Sequence, residues 1–215
     1  MNNRRSFLLF GAAGVAVLTG LRQALKINPH EFNEKIFRKI LGPRGLTPTF
    51  AKEKAKEPRP NGNVGLEEEV EKWQLNIEEA SGSRVMTMEQ LQALPHFEMT
   101  TELMCVEGWS EIVSWKGTLL RNLAPANPPA YVGMQTPDEM YYVGLDIESA
   151  MHPQTLLAWE MNGQHLTPEH GAPLRLVIPV KYGIKNIKRI GTIQFTATRP
   201  RDYWNDRGYD WYSGL

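Results

Sequence analysis

The stretch from His170 to Arg189, HGAPLRLVIPVKYGIKNIKR, decides how the rest of the chain is read. Leu174 to Ile178 reads as a short apolar strand, and Tyr182-Gly183-Ile184-Lys185 as a glycine-containing loop after it. No acidic residue occurs between Glu169 and Asp202, yet Arg175, Lys181, Lys185, Lys188 and Arg189 fall inside that interval, with His170 at its start and Arg199 and Arg201 at its end. Cations without local counter-charges around a strand and a loop suit a phosphate-bearing ligand, because charge-assisted contacts are about twice as strong as neutral hydrogen bonds. The same run also has the composition of a basic face turned to water.

Working outward, short β signals alternate with brief helices. Strands are predicted at Trp73 to Ile77, Leu103 to Val106, Tyr131 to Gln135, Leu156 to Met161 and Thr192 to Thr196. Thr87-Met88-Glu89-Gln90 is a capping box opening a helix through Leu94, and Asn162-Gly163 predicts a tight hairpin turn. Met86-Thr87-Met88 reads as core packing. Many strands with few, short helices imply an α+β domain built on mixed β-sheets over residues 66–215.

The 215 residues suit one globular domain with added segments. Residues 1–60 hold twelve Lys/Arg against four Asp/Glu, whereas 61–215 hold twelve against twenty, so the domain lacks the basic balance of a nucleic-acid binder. Residues 1–25 carry Arg4-Arg5-Ser6-Phe7-Leu8 and then an uncharged apolar run to Leu21, a signal or anchor segment. Twin arginines before Ser-Phe-Leu resemble the export signal of proteins that cross the membrane folded, which implies a periplasmic location; an ordinary short anchor fits the same residues. Within 26–65, Phe32, Ile36, Phe37, Ile40 and Leu41 share one helical face, suited to a membrane surface or to packing on the domain, and Gly42 to Gly65 reads as a wrapping segment.

Cys105 is the only cysteine, which excludes intramolecular disulfides and metal sites needing several cysteines of one chain. It lies where a β-like run enters the turn Glu107-Gly108, a place suited to a ligand; a lone cysteine among apolar neighbours is also an ordinary small buried hydrophobe. His152 and His165 read as structural.

Four ordered motifs carry a resemblance. Cys105-Val106-Glu107-Gly108-Trp109-Ser110 with Trp115-x-Gly117, then Ala150-Met151-His152-Pro153, His170 to Leu176 and Pro179 to Lys185 resemble the molybdopterin-binding domain of the sulfite oxidase superfamily, on the branch of periplasmic protein-methionine-sulfoxide reductase catalytic subunits. The likeness runs from about Trp73 to Pro200. It implies a molybdenum-molybdopterin (Mo-MPT) cofactor with Cys105 as the thiolate ligand to the metal, a soft donor suited to a redox centre. It also implies cofactor contacts from Thr136, His170, Arg175, Asn186, Ile187 and Lys188, with Arg175 on phosphate. Glu107 and Trp109 lie close enough to Cys105 in sequence to line the metal pocket.

The likeness has limits. Sulfite oxidases place an arginine cluster by the metal and add a C-terminal sandwich domain; neither is found here, so sulfite oxidation is the lesser alternative. The upstream cofactor contact of the reductases has only Thr47-Pro48-Thr49-Phe50 or Asn61-Gly62 as substitutes. The interval from Thr136 to Met151 is shorter than in those reductases, which removes a loop near the substrate entrance. The expectation is an exported oxidoreductase moving an oxygen atom, probed best as reduction of a sulfoxide, small or protein-bound. No haem, flavin or nicotinamide motif is present, so a membrane redox partner is expected to exchange the electrons. The other class to weigh is a cofactor-binding or membrane-tethered module that keeps the fold without catalysis.

Overall fold

The computed structural model describes residues 45–66 and 72–215, all within the compact unit Pro43–Leu215. The predicted signal or anchor and the amphipathic segment at 31–41 lie outside the described residues. No helix among the described residues is long and apolar enough to cross a membrane.

Ten strands form two sheets. The first runs β2 (Gly82–Met86), β1 (Leu75–Glu79), β10 (Thr192–Thr196), β5 (Tyr131–Gln135) and β6 (Tyr142–Asp146). It is mixed, because β1 and β10 pair in parallel while the other neighbours are antiparallel. The second is antiparallel: β3 (His96–Met104), β4 (Ser110–Leu119), β7 (Leu156–Met161) and β8 (Gln164–His165), with β9 (Arg175–Val177) also on β7. Two short helices, α1 (Met88–Gln92) and α2 (Ile147–Ala150), complete an α+β arrangement. The capping box at α1 is present, with Thr87 Oγ1 accepting from Gln90 N and Thr87 N donating to Gln90 Oε1 at 2.9 Å.

Successive side chains of a strand point to opposite faces, and β7 uses both. Leu157 and Trp159 enter a core shared with Leu75, Val132, Leu145 and Ile193 of the first sheet. Leu156 and Ala158 enter a smaller cluster with Val113, Trp115 and Val177. Met161 joins that smaller cluster despite its odd spacing, because the register slips beside Gly117: Lys116 faces Glu160 and Gly117 faces Ala158, leaving Trp159 as the inserted residue. Gly117 is required there, since a Cβ would lie 2.0 Å from Leu157 O.

The structure differs from the sequence reading at the strand carrying Cys105. Leu103 to Val106 was expected to be one strand; β3 instead spans His96–Met104, and Cys105 and Val106 belong to the turn that follows. Residues 47–62 wrap the domain: Thr49 bridges to Thr101, Gln154 accepts from Thr47 N at 2.7 Å, and Lys56 N donates to Ile112 O at 2.8 Å.

Candidate active site

Cys105 opens the β3–β4 connection. Its N–H donates to Trp109 O at 2.9 Å and its carbonyl accepts from Gly108 N at 3.1 Å, which folds Cys105 to Trp109 into a tight turn. The thiol is free and 8 % exposed, on the wall of a cavity of about 380 Å³. The loop carrying Gly183 presses on this turn, and a Cβ at Gly183 would come within 3.3 Å of Met104 O.

Beside the thiol stands a small polar cluster. Glu107 Oε2 accepts from Trp109 Nε1 at 3.0 Å and from Asn61 Nδ2 at 3.2 Å, and Asn61 Nδ2 also lies 3.7 Å from Cys105 Sγ. Asn61 reaches the cavity because Lys188 Nζ donates to its carbonyl at 2.8 Å and to that of Gly62 at 2.9 Å. Of the two upstream substitutes, Asn61-Gly62 therefore lines the cavity, while Thr47 to Phe50 is pinned on Gln154 and on the β3 edge.

The cationic lining is built by β9 and the loop after it. Arg175 is buried; its Nη1 donates to His170 O at 3.1 Å and its Nη2 to Asn186 O at 3.4 Å, and the guanidinium packs 4.8 Å from the Trp115 ring centre. Among the described residues Arg175 pairs with no carboxylate, and its Nε has no partner. Burial lowers its pKa from 12.5 to about 10. Burial, then the nearby Arg175 charge, lowers Lys188 to about 8. His170 Nε2 lies 3.3 Å from Glu57 Oε1, and burial outweighs that contact to push its pKa down. Asn186 is fixed by accepting from Ile178 N at 2.8 Å and donating to Tyr182 O at 3.2 Å.

Cys105, Glu107, Trp109, His170, Arg175, Asn186 and Lys188 thus converge on one cavity. Thr136 and Ile187 do not line it. Thr136 is buried in the β5–β6 turn, where its Oγ1 donates to Asp138 Oδ1 at 2.6 Å and sits beneath Gly65; the Ile187 side chain belongs to the main core. The acid-free interval is not one patch either. Lys181 pairs with Asp146 at 3.5 Å and Lys185 with Asp202 at 2.5 Å, both buried and both structural. Residues that the sequence reading missed include Arg59, Tyr141, Tyr203, Trp204 and Tyr209, all on the cavity wall. Their distance in sequence from Cys105 gave no signal of proximity.

A fully buried guanidinium with an orphan donor and no acid is costly unless an anion completes it. With a free thiol on the same wall, the arrangement defines a protein that holds a phosphate-bearing cofactor against one soft protein ligand. The chain belongs to the family of the oxidoreductase molybdopterin-binding domain, whose model matches residues 61–204, and it is an oxidoreductase. A provisionally named protein-methionine-sulfoxide reductase subunit YedZ1 of Azospira oryzae is 33% identical over 98% of this chain and 87% of its own length. The protein-methionine-sulfoxide reductase catalytic subunit MsrP of Xanthomonas axonopodis pv. citri is 40% identical over 55% of this chain and 42% of its own. The MsrP of Campylobacter jejuni is 36% identical over 63% and 52%. The chain therefore spans only about half the length of the MsrP relatives. Among solved structures, the sulfane dehydrogenase SoxCD of Paracoccus pantotrophus superposes with a TM-score of 0.55 at 22% identity over 59% of this chain and 39% of that one, a likeness of fold.

Proposed function

We propose that the protein is an exported molybdenum-molybdopterin enzyme that reduces sulfoxides. The observation that carries the reading is the shared cavity: the Cys105 thiol on the same wall as Arg175, a buried cation with an orphan Nε and no carboxylate. The residues present fit the cofactor. Arg175, Lys188 and His170 would hold its phosphate, Asn186 and the carbonyls around it would line its edge, and Cys105 would give the metal its protein thiolate. Among the described residues no three His, Cys, Asp or Glu side chains converge as a protein-only metal site. When bound, molybdenum in its pterin dithiolene supplies a two-electron centre able to accept an oxygen atom.

The chain's own groups account for the rest. Reduction of a sulfoxide breaks the S–O bond, consumes two electrons and two protons, and yields a sulfide and water. Glu107 is exposed and held toward Cys105 by Trp109 and Asn61, so it can carry protons from solvent to the cavity. Asn61 Nδ2, near Cys105 Sγ, places a donor on the thiolate and limits its basicity. Electrons come from a membrane redox partner, a reading supported by the absence of any haem, flavin or nicotinamide motif in the sequence. Export through a twin-arginine-like signal is supported by Arg4-Arg5-Ser6-Phe7-Leu8.

Elemental analysis of protein from a cofactor-making, export-competent host tests the reading. About one molybdenum per chain is expected, reducible by dithionite and reoxidised by a sulfoxide. Cys105→Ser is expected to abolish turnover. A Cys105→Ser protein with full metal and full activity sinks the assignment, as does a parent without molybdenum where a known molybdoenzyme fills.

A further inference from the structure

The cavity has a second lining that holding the cofactor leaves unused. Tyr141, Tyr203, Trp204 and Tyr209 all face it. Their rings touch in series: Tyr141 to Tyr203 at 4.9 Å, Tyr203 to Trp204 at 5.3 Å and Trp204 to Tyr209 at 5.1 Å between centroids. Cys105 stands between this lining and the cationic one, joined to each by a short chain of contacts. Asn61 links it to Lys188, while Gly183 lies against its turn and Ile184 O accepts from Tyr141 Oη at 2.7 Å.

The aromatic lining is built to stay in place. Asp202, locked by the buried Lys185 pair, accepts from Trp204 N at 3.2 Å and from Asn205 N at 3.1 Å. Tyr209 N donates to Trp204 O at 3.0 Å and its carbonyl accepts from Asn205 Nδ2 at 2.9 Å, closing the loop. The Arg207 guanidinium covers the Tyr203 ring at 3.5 Å. Tyr203 and Tyr141 are therefore buttresses, and Trp204 and Tyr209 are the rings left to meet a ligand. The rim is apolar too, with Val106 beside Cys105 and Tyr209 40% and 45% exposed.

We propose that Trp204 and Tyr209, backed by Tyr203 and Tyr141, form the substrate subsite, and that it takes a neutral methyl sulfoxide, such as the side chain of an oxidised methionine, in preference to a charged oxyanion. The inference rests on the sulfoxide-reductase reading above and adds where the substrate sits. A sulfoxide carries its negative charge on oxygen and leaves sulfur and its methyl electron-poor, a match for the negative faces of aromatic rings. An oxyanion meets the same faces unfavourably, and the cations it needs belong to the other lining.

Two readouts on the molybdenum-loaded protein test this: calorimetric binding of N-acetyl-methionine sulfoxide methylamide to the oxidised form, and KM and kcat for the same probe with a reduced dye as donor. The variants are Trp204→Ala, Trp204→Phe and Tyr209→Ala, with His165→Ala, exposed on β8, as control. Loss of one ring is expected to raise Kd and KM about tenfold with kcat within about twofold and molybdenum unchanged, while Trp204→Phe and His165→Ala stay close to the parent. Sulfite is expected to compete poorly. Unchanged Kd and KM in both alanine variants, or no binding to the parent, overturns the subsite; turnover by the parent then still upholds the reductase. Conversely, a parent that binds the probe through Trp204 yet never reduces it keeps the subsite and sinks the reductase. If Trp204→Ala fails to fold, Tyr209→Ala and Trp204→Phe decide, and an unaltered Kd in Tyr209→Ala counts against the proposal.

Discussion

Replacing Arg175 by methionine separates the two reasons a guanidinium can be buried. Burial holds its pKa at about 10 instead of 12.5, so the cofactor-free protein carries a desolvation cost of about 3 kcal/mol at this side chain. Against that stand the bonds to His170 O and Asn186 O and the contact with the Trp115 ring, each worth about 1 kcal/mol. The two sides nearly cancel. Arg175→Met in the cofactor-free state is therefore expected to change unfolding free energy by no more than about 1 kcal/mol in either direction. The loaded protein should behave differently. A buried charge-assisted bond to phosphate contributes about 1.5 to 3 kcal/mol, so cofactor affinity should fall roughly 10- to 150-fold.

Urea unfolding of both forms, with molybdenum measured after extended dialysis, reads the two quantities separately. The expected result is a variant whose empty form unfolds like the parent and whose loaded form leaks metal. If the empty variant loses more than about 3 kcal/mol while its metal stays bound, Arg175 is a strut across β9 and the loop after it, and the phosphate site lies elsewhere.

Asp202→Asn should cost about 3 to 5 kcal/mol in urea unfolding, because it strands the Lys185 ammonium in the interior; a loss below about 1 kcal/mol contradicts that account. Gly117→Ala should cost about 1 to 3 kcal/mol, since its Cβ meets the β7 backbone; a parent-like unfolding midpoint refutes the close approach. Lys188 titrates at about 8 and favours an anion only when protonated, so binding of inorganic phosphate by the cofactor-free protein should be level below about pH 8 and fall as pH rises through it. In Lys188→Met that fall should vanish, which titrations at several pH values will show. A slope that survives the substitution assigns the titration to another group.

Strands that bury one clean face were legible. The bounds expected for β5, β7 and β10 are those observed, and the Asn162-Gly163 hairpin joins β7 to β8. β2 escaped because four of its five side chains are exposed and show no alternation. β6 escaped because Gly144 at its centre reads as a turn; its missing side chain is the space that Trp211 fills, with a Cβ there only 2.7 Å from the ring. At the site, the motifs around Cys105 and Arg175 were legible because each is local. The aromatic lining was not, since Tyr141 and residues 203–209 meet Cys105 only through the fold.

The acid-free interval shows why charge counting along the chain could point to the site without resolving it. Its lysines have the same local composition but different fates, fixed by acids outside the interval. Asp146 caps α2 and receives Lys181, and Asp202 organises the turn bearing Trp204 and receives Lys185. Those two lysines are consumed in holding the loop and the aromatic lining together. Arg175 and Lys188 meet only backbone carbonyls, which orient a cation without neutralising it. A buried positive charge left in that condition is stable only if a mobile anion completes it, so among these four cations the anion-binding ones are those to which the fold has assigned no carboxylate. The same logic places Lys185 between the two linings: its pair with Asp202 ties the Gly183 loop under Cys105 to the turn that carries Trp204. Breaking the pair should therefore loosen substrate binding before it releases the cofactor.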